Sequence, residues 1–315
     1  MISRRLLRIK IIQILYAYFN VQPEYRDVFL SEKDLKFSVR KTFDLYCYLL
    51  LLIRDVKQYA EKRIDLAKNK ILPSHEDLNP NLRFIDNPVI GLIENSESLN
   101  EYLQKNKLSW VNYPELIRKI YTDMINKPYY QDYMSLRESD FNQDKSLLIQ
   151  FLSKEVDNNE MLYQTLEEQS IFWNDDIEFV LSMLMKNLKS LREGDKMVLP
   201  ELFKNEEDSE FAFGLFKKVI LYSDRNRALI EKHTQNWDFE RLAFMDMIIM
   251  QAAITEMTEF PSIPINVTLN EYIDIAKFYS TPKSGHFING ILDKISAELQ
   301  NAGMIIKRGR GLLEK

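Results

Sequence analysis

A chain of 315 residues with 45% apolar content can bury one large core or two of ordinary size. A single cysteine, Cys47, excludes an internal disulfide framework, and three histidines, His75, His233 and His286, leave a zinc site short of ligands. The net charge of −5 argues against a bulk nucleic-acid coat protein, and only 8 glycines and 10 prolines disfavour turn-rich sheet proteins, so composition predicts an all-α fold.

Residues 1–19 carry Arg4, Arg5, Arg8 and Lys10 and no acid. Lacking a small-residue cleavage site, they read as a helix of the mature protein rather than a signal peptide. The spacing predicts a helix over Ser3–Phe19, with Leu7, Ile11, Ile14, Leu15 and Tyr18 on a core face. Arg5, Arg8, Ile12 and Tyr16 fall together on another face, a basic stripe ending in an aromatic ring.

Over residues 20–205 helical spacing recurs at Phe43–Lys68, Tyr113–Ile125 and Asp176–Leu191, separated by polar, proline-containing loops such as Leu72–Pro88. The most apolar run, Leu49–Ile53, is far short of the ~20 residues a spanning helix requires, so no membrane contact and a cytoplasmic location are expected. Residues 153–210 hold fifteen acids against six Lys and Arg, a solvated stretch that repels phosphate.

Asn205–Glu210 reads as a junction, after which Phe211–His233 has the pattern of one continuous amphipathic helix. Asp238 is placed to cap a helix carrying Leu242, Met245, Ile249 and Ala252, which Phe260–Pro264 ends. Another helix runs to about Tyr279 and is broken by Ser280, Thr281 and Pro282. The last turns Ile288, Leu292, Ile295 and Leu299 to a core and stops at Gly303. Residues 281–315 hold six Lys and Arg against three acids, so both chain ends are basic, and Lys307–Arg310 reads as part of a flexible tail.

The sequence has no phosphate-binding loop, dinucleotide fingerprint, H-E-x-x-H or G-x-S-x-G motif. Its adjacent carboxylates, Asp175/Asp176 and Glu206/Glu207, lie in polar runs and read as solvated loops. The expectation is a protein that is not an enzyme.

The stretch Val267–Tyr279 (VTLNEYIDIAKFY), followed by Phe287–Asp293 (FINGILD), resembles the C-terminal signature of the NusB family. The family is echoed where Arg4, Arg5 and Arg8 lead into Gln13–Tyr16, and again over Arg241–Glu256. The resemblance implies a NusB-like helical bundle with an additional helical region inserted after the first helix. Residues 1–19 and 206–303 would form the RNA-binding domain, 20–205 a helical insertion, and 304–315 a flexible basic tail.

It further implies an RNA-binding transcription antitermination factor that takes boxA-type single-stranded RNA together with the ribosomal protein NusE, including on ribosomal RNA operons. The RNA polymerase elongation complex is then reached indirectly, and no cofactor is needed. Carried over by motif position, Arg4, Arg5, Arg8, Tyr16, Lys283, Ser284 and Phe287 are the candidate RNA-site residues, and Asp246 the candidate partner contact. Physical chemistry agrees: cations on a rigid helix neutralise phosphates, a neighbouring ring stacks on an unpaired base, and a helix start near Ser284 favours an anion.

The sequence departs from the family pattern at Met247 and Gln251, where relatives often carry basic residues near the acid, and at Gly285. Tyr16 and Phe287 read equally as stacking rings or core aromatics. Asn270, Glu271, Asn289 and Gly290 read as structural, and Asp274 with Lys277 as a surface ion pair. Two other readings stay open: a helical protein-binding adaptor, and an RNA-holding module in ribosomal RNA maturation.

Overall fold

The structure, a computed structural model, describes residues 2–157, 159–234, 243–281 and 283–313. Among these residues there are helices and turns and no strand, as the composition predicts. In chain order the α-helices are α1 (Arg4–Asn20), α2 (Val28–Lys68), α3 (His75–Leu78), α4 (Pro88–Glu94), α5 (Glu97–Asn106), α6 (Pro114–Ile125), α7 (Pro128–Ser135) and α8 (Phe141–Phe151). They continue with α9 (Glu160–Gln169), α10 (Ile177–Ser190), α11 (Glu206–Leu221), α12 (Ser223–His233), α13 (Phe244–Glu259), α14 (Ile265–Tyr279) and α15 (Ser284–Asn301). None of the described helices is long and apolar enough to cross a membrane.

The chain divides into two compact units, one of Met1–Val39 with Leu202–Lys315, the other Arg40–Glu201. In the first unit α13 packs against α1, α11, α12, α14 and α15. Residues from Ile248 to Met257 are buried all round, the behaviour of a helix without a broad polar face. Asp238, Arg241 and Leu242, placed by sequence before or within this helix, lie outside the described residues, as does Pro282.

Helix α1 starts where expected, with the Ser3 hydroxyl accepting from Leu6 N at 3.2 Å. Its middle differs from the expected two-faced helix. Leu6 through Ile12 are all buried, including Arg8, Lys10 and Ile12, so the stripe expected to face solvent is interrupted by core.

The expected continuous helix over Phe211–His233 is instead two, α11 and α12, turning at Tyr222. The turn carries the fully buried Asn226 amide to α13, where it donates to Thr255 Oγ1 at 2.8 Å and Gln251 O at 3.4 Å. A buried amide of this kind needs fixed partners, and a straight helix gives no comparable anchor at that corner.

Gly303, with φ +67°, ends α15: Met304 N donates back to Leu299 O at 2.9 Å. Residues beyond it, expected to be flexible, lie against the corner after α13. Arg308 N donates to Pro261 O at 3.0 Å and Lys307 Nζ to Phe260 O at 3.1 Å. Gly311 comes so close that a Cβ there would stand 1.9 Å from Pro261 O, which only glycine permits.

The second unit holds α3–α10 and the greater part of α2. At its core Tyr48 and Trp110 stack at 3.8 Å, Trp110 Nε1 donates to Tyr48 O at 3.0 Å, and Trp173 Nε1 to Lys41 O at 2.7 Å. Cys47 is buried here, and burial pushes its thiol pKa far up, so it is an inert core residue. The short helices missed in sequence start on local signals: Pro88 and Pro128 at first helical positions, and capping boxes at Ser74/Asp77 and Asp140/Gln143.

Candidate nucleic-acid interface

The basic end of α1 lies beside acids drawn from three other helices. Arg4 pairs with Asp208 at 2.6 Å and Glu207 at 3.1 Å at the start of α11, and Arg310 shares Glu207 at 3.0 Å. Arg5 donates to Glu271 at 3.0 Å and to Asp274 at 2.8 Å on α14. Hydrogen bonds from Arg4, then the charges of Arg4 and Arg310, hold the Glu207 carboxyl below its usual range. Lys277 first, then Arg5, does the same for Asp274.

Arg8 differs from its neighbours. Only 3% exposed, it makes a two-pronged pair with Glu256 of α13, at 2.8 and 2.7 Å, and its guanidinium lies 5.2 Å from the centre of the Phe211 ring. Glu256 also accepts from Thr268 Oγ1 at 2.8 Å and Tyr272 OH at 3.2 Å. Burial pulls the Arg8 pKa down, but the Glu256 charge more than reverses it, so Arg8 stays protonated. Arg8, expected to face RNA, has its side chain inside the bundle, paired with Glu256.

Asp246 and Ser284, also singled out in sequence, are buried together. Asp246 accepts from Ser284 Oγ at 2.8 Å and, through its other oxygen, from Ser280 Oγ, while Thr281 N donates to Ser284 Oγ at 3.2 Å. This cluster ties the start of α13 to the α14–α15 corner. Both side chains, expected as a partner contact and an RNA contact, fasten this corner from inside.

Three candidates do reach solvent. Tyr16 is 39% exposed and meets Phe244 edge-on at 5.3 Å. Lys283 is exposed and Phe287 half-buried at the start of α15. Asp274 joins them to α1, because it accepts from Arg5 and, at 2.9 Å, from Lys277, whose stem lies over Gly285. A Cβ at Gly285 would sit 3.3 Å from Lys277 Cγ, so the departure to glycine makes room for that stem. Glu271, read as structural from sequence, proves to be an arginine partner, and Asp274 with Lys277 is the expected surface pair.

A family model described as the NusB family matches residues 183–297. The transcription antitermination protein NusB of Salinibacter ruber is 38% identical over 117 residues, covering 37% of this chain and 73% of that protein. The chain belongs to the NusB family. The protein of the same name from Chloroherpeton thalassium is 38% identical over 120 residues, 38% of this chain and 57% of that one. That from Koribacter versatilis is 42% identical over 94 residues, 30% and 64%. A solved NusB structure from T. maritima is 28% identical, with 43% of this chain and 85% of that chain covered and a TM-score of 0.29.

The matched NusB segment contains Glu256, Glu271 and Asp274, and also Asp246, Ser284 and Phe287. Helix α1 lies outside it, so Arg4, Arg5, Arg8 and Tyr16 are tied to the family region by packing and ion pairs. Glu256 was the missed residue. Its signal was an acid near the end of the largely apolar run MDMIIMQAAITEM, which holds only Asp246 besides, because a buried charge requires a buried counter-charge.

Proposed function

We propose that the protein is a cytoplasmic antitermination factor that binds boxA-type single-stranded RNA with the ribosomal protein NusE, on ribosomal RNA operons, and reaches RNA polymerase through that complex. The supporting observation is the line of groups from Arg5 through Asp274 and Lys277 to the start of α15, where Lys283 is exposed. Arg4, Arg5 and Lys283 would meet phosphates, and Tyr16 and Phe287 unpaired bases, while Arg8, Ser284 and Asp246 hold the helices that carry them. No bond is made or broken; a held RNA suffices.

One observation favours a second reading, the protein adaptor: Arg4 and Arg5 are each already paired with two carboxylates. Phosphate must then compete with acids. Fluorescence anisotropy with a boxA-like RNA and a scrambled control, at two salt concentrations and with or without NusE, separates the readings. Preference for boxA, strengthened by NusE, weakened by salt and lost in Arg5→Glu, is the expected result. Equal weak binding of both RNAs with no NusE effect leaves the adaptor.

A further inference from the structure

Beyond the C-terminal end of α1 the chain exposes aromatic rings that the reading above does not use. Tyr25 is 73% exposed and Phe29, at the start of α2, 65%. Lys33 Nζ lies 4.3 Å from the centre of the Phe29 ring and has no carboxylate partner among the described residues. Phe37, one turn after Lys33, is also exposed. Phe29, Lys33 and Phe37 are four residues apart, so they share one face and succeed each other about every 6 Å along the helix. Large exposed rings spaced this way are unusual on a surface with no partner, because apolar area in water is unfavourable.

Two features point to nucleic acid as the occupant. Cations accompany the rings: Lys33 at Phe29, and Lys36 at 5.2 Å from the half-buried Phe213 ring. Glu32 on the same helix is neutralised by Lys217 at 3.0 Å and Lys36 at 3.5 Å. The face is also continuous with α1. Arg26 donates to Phe19 O and Val21 O at 2.9 Å each and lies 5.8 Å from the Tyr18 ring centre, fixing the turn that brings Tyr25 after the α1 aromatics. Rings that stack on any base, with amines between them for phosphate, are what a sequence-tolerant single-strand platform requires.

We infer that Tyr25, Phe29 and Lys33, with Phe37 beyond, form a single-stranded RNA platform that takes nucleotides flanking the segment held by α1. This rests on the RNA-binding reading and extends its footprint to bases outside the specific element. The full-length protein is titrated by anisotropy against a minimal boxA-like RNA and against the same RNA carrying a single-stranded uridine extension at either end. Wild type should bind one extended RNA about tenfold more tightly than the minimal one, and Phe29→Ser and Lys33→Glu should remove that gain while leaving the minimal RNA unaffected. All these side chains are exposed, and circular dichroism checks that the variants fold.

If the extensions add nothing, or the variants keep the gain, the platform is refuted while the α1 site stands. If wild type binds neither RNA, the underlying reading fails and the platform with it. Loss of binding to NusE in Phe29→Ser, with extended RNA unaffected, would make the face a protein-docking surface and overturn the inference.

Discussion

Arg8 and Glu256, 248 residues apart in sequence, meet inside the first unit through two hydrogen bonds of 2.8 and 2.7 Å. One comes from the basic stripe of α1, the other from an apolar helix, and each makes the burial of the other tolerable. Removing Arg8 leaves the Glu256 charge buried without a counter-charge, at a cost of about 3–5 kcal/mol, and removing Glu256 leaves Arg8 only its longer contact with Glu271 at 3.5 Å. Arg8→Met and Glu256→Met should each lower the urea midpoint strongly. The double variant should lose far less than the sum, as a double-mutant cycle records. Additive losses would mean that the pair is not coupled.

Arg5 has the same residue type and a different situation. It is partly exposed and its acids sit at the surface, so its removal should cost stability little. Arg5→Ala should instead weaken boxA-like RNA binding and flatten the plot of log affinity against log salt by about 0.7, the share of one phosphate contact on a single strand. Arg8→Lys serves as the contrast. A lost fork geometry should reduce its stability with no change in salt slope. Equal slopes for wild type and Arg5→Ala would remove Arg5 from the interface.

The Asp246 fastening predicts a graded series. Asp246→Ala removes the acceptor that the Ser280 and Ser284 hydroxyls share, leaving them only each other at 3.0 Å and Thr281 Oγ1 at 2.8 Å, and should destabilise by about 1–3 kcal/mol. Asp246→Asn keeps one acceptor and should lose less, and Ser284→Ala less than Asp246→Ala because Ser280 keeps its bond. Thermal melts rank the three. If Asp246→Ala melts with wild type yet fails to bind NusE, Asp246 is a partner contact after all.

The legible parts of the sequence were those with local periodicity or a local signature. Ser3 and Gly303 marked real helix ends, and the core positions Leu7, Ile11, Ile288 and Leu292 followed from spacing. The proline-containing stretches hold helices where loops are expected, because Pro88 and Pro128 start helices as readily as prolines interrupt them. The stripe through Arg5, Arg8 and Tyr16 is one surface by angular position, but angular position on a helix says nothing about what packs there. Phe211 and Glu256 close over Arg8 and leave Arg5 and Tyr16 open. Contacts between distant residues carry no local signal, and the site's electrostatics consist mainly of such contacts.

Lys307 gives a pH prediction. Burial lowers its pKa from 10.5 to about 8, against the opposing charge of Glu256. A lysine with a depressed folded pKa binds fewer protons folded than unfolded between about pH 8 and 10.5, so its contribution rises with pH across that window. Below it, the docked tail carries a half-buried charge that disfavours the folded state. Lys307→Met should therefore compare better with wild type at pH 7 than at pH 10, in melts of both proteins. A difference between the two proteins that does not vary with pH would place Lys307 in solvent.

Gly311 tests the docking of the tail without touching a charge. Alanine there would put its methyl 1.9 Å from Pro261 O, a distance that cannot be relieved by a side-chain rotation because the opposing atom is backbone. The strand of contacts at Arg308 N and Lys307 Nζ must then separate from the Phe260–Pro261 corner. Gly309→Ala, where nothing lies within 4 Å but φ is +54°, strains the backbone without a collision and should act more weakly. In Gly311→Ala, hydrogen exchange should accelerate at residues 304–313 and at the Pro261 corner, and limited proteolysis should cut after Lys307 or Arg308. Unchanged protection in that variant would show that the tail is held by contacts other than the approach at Gly311.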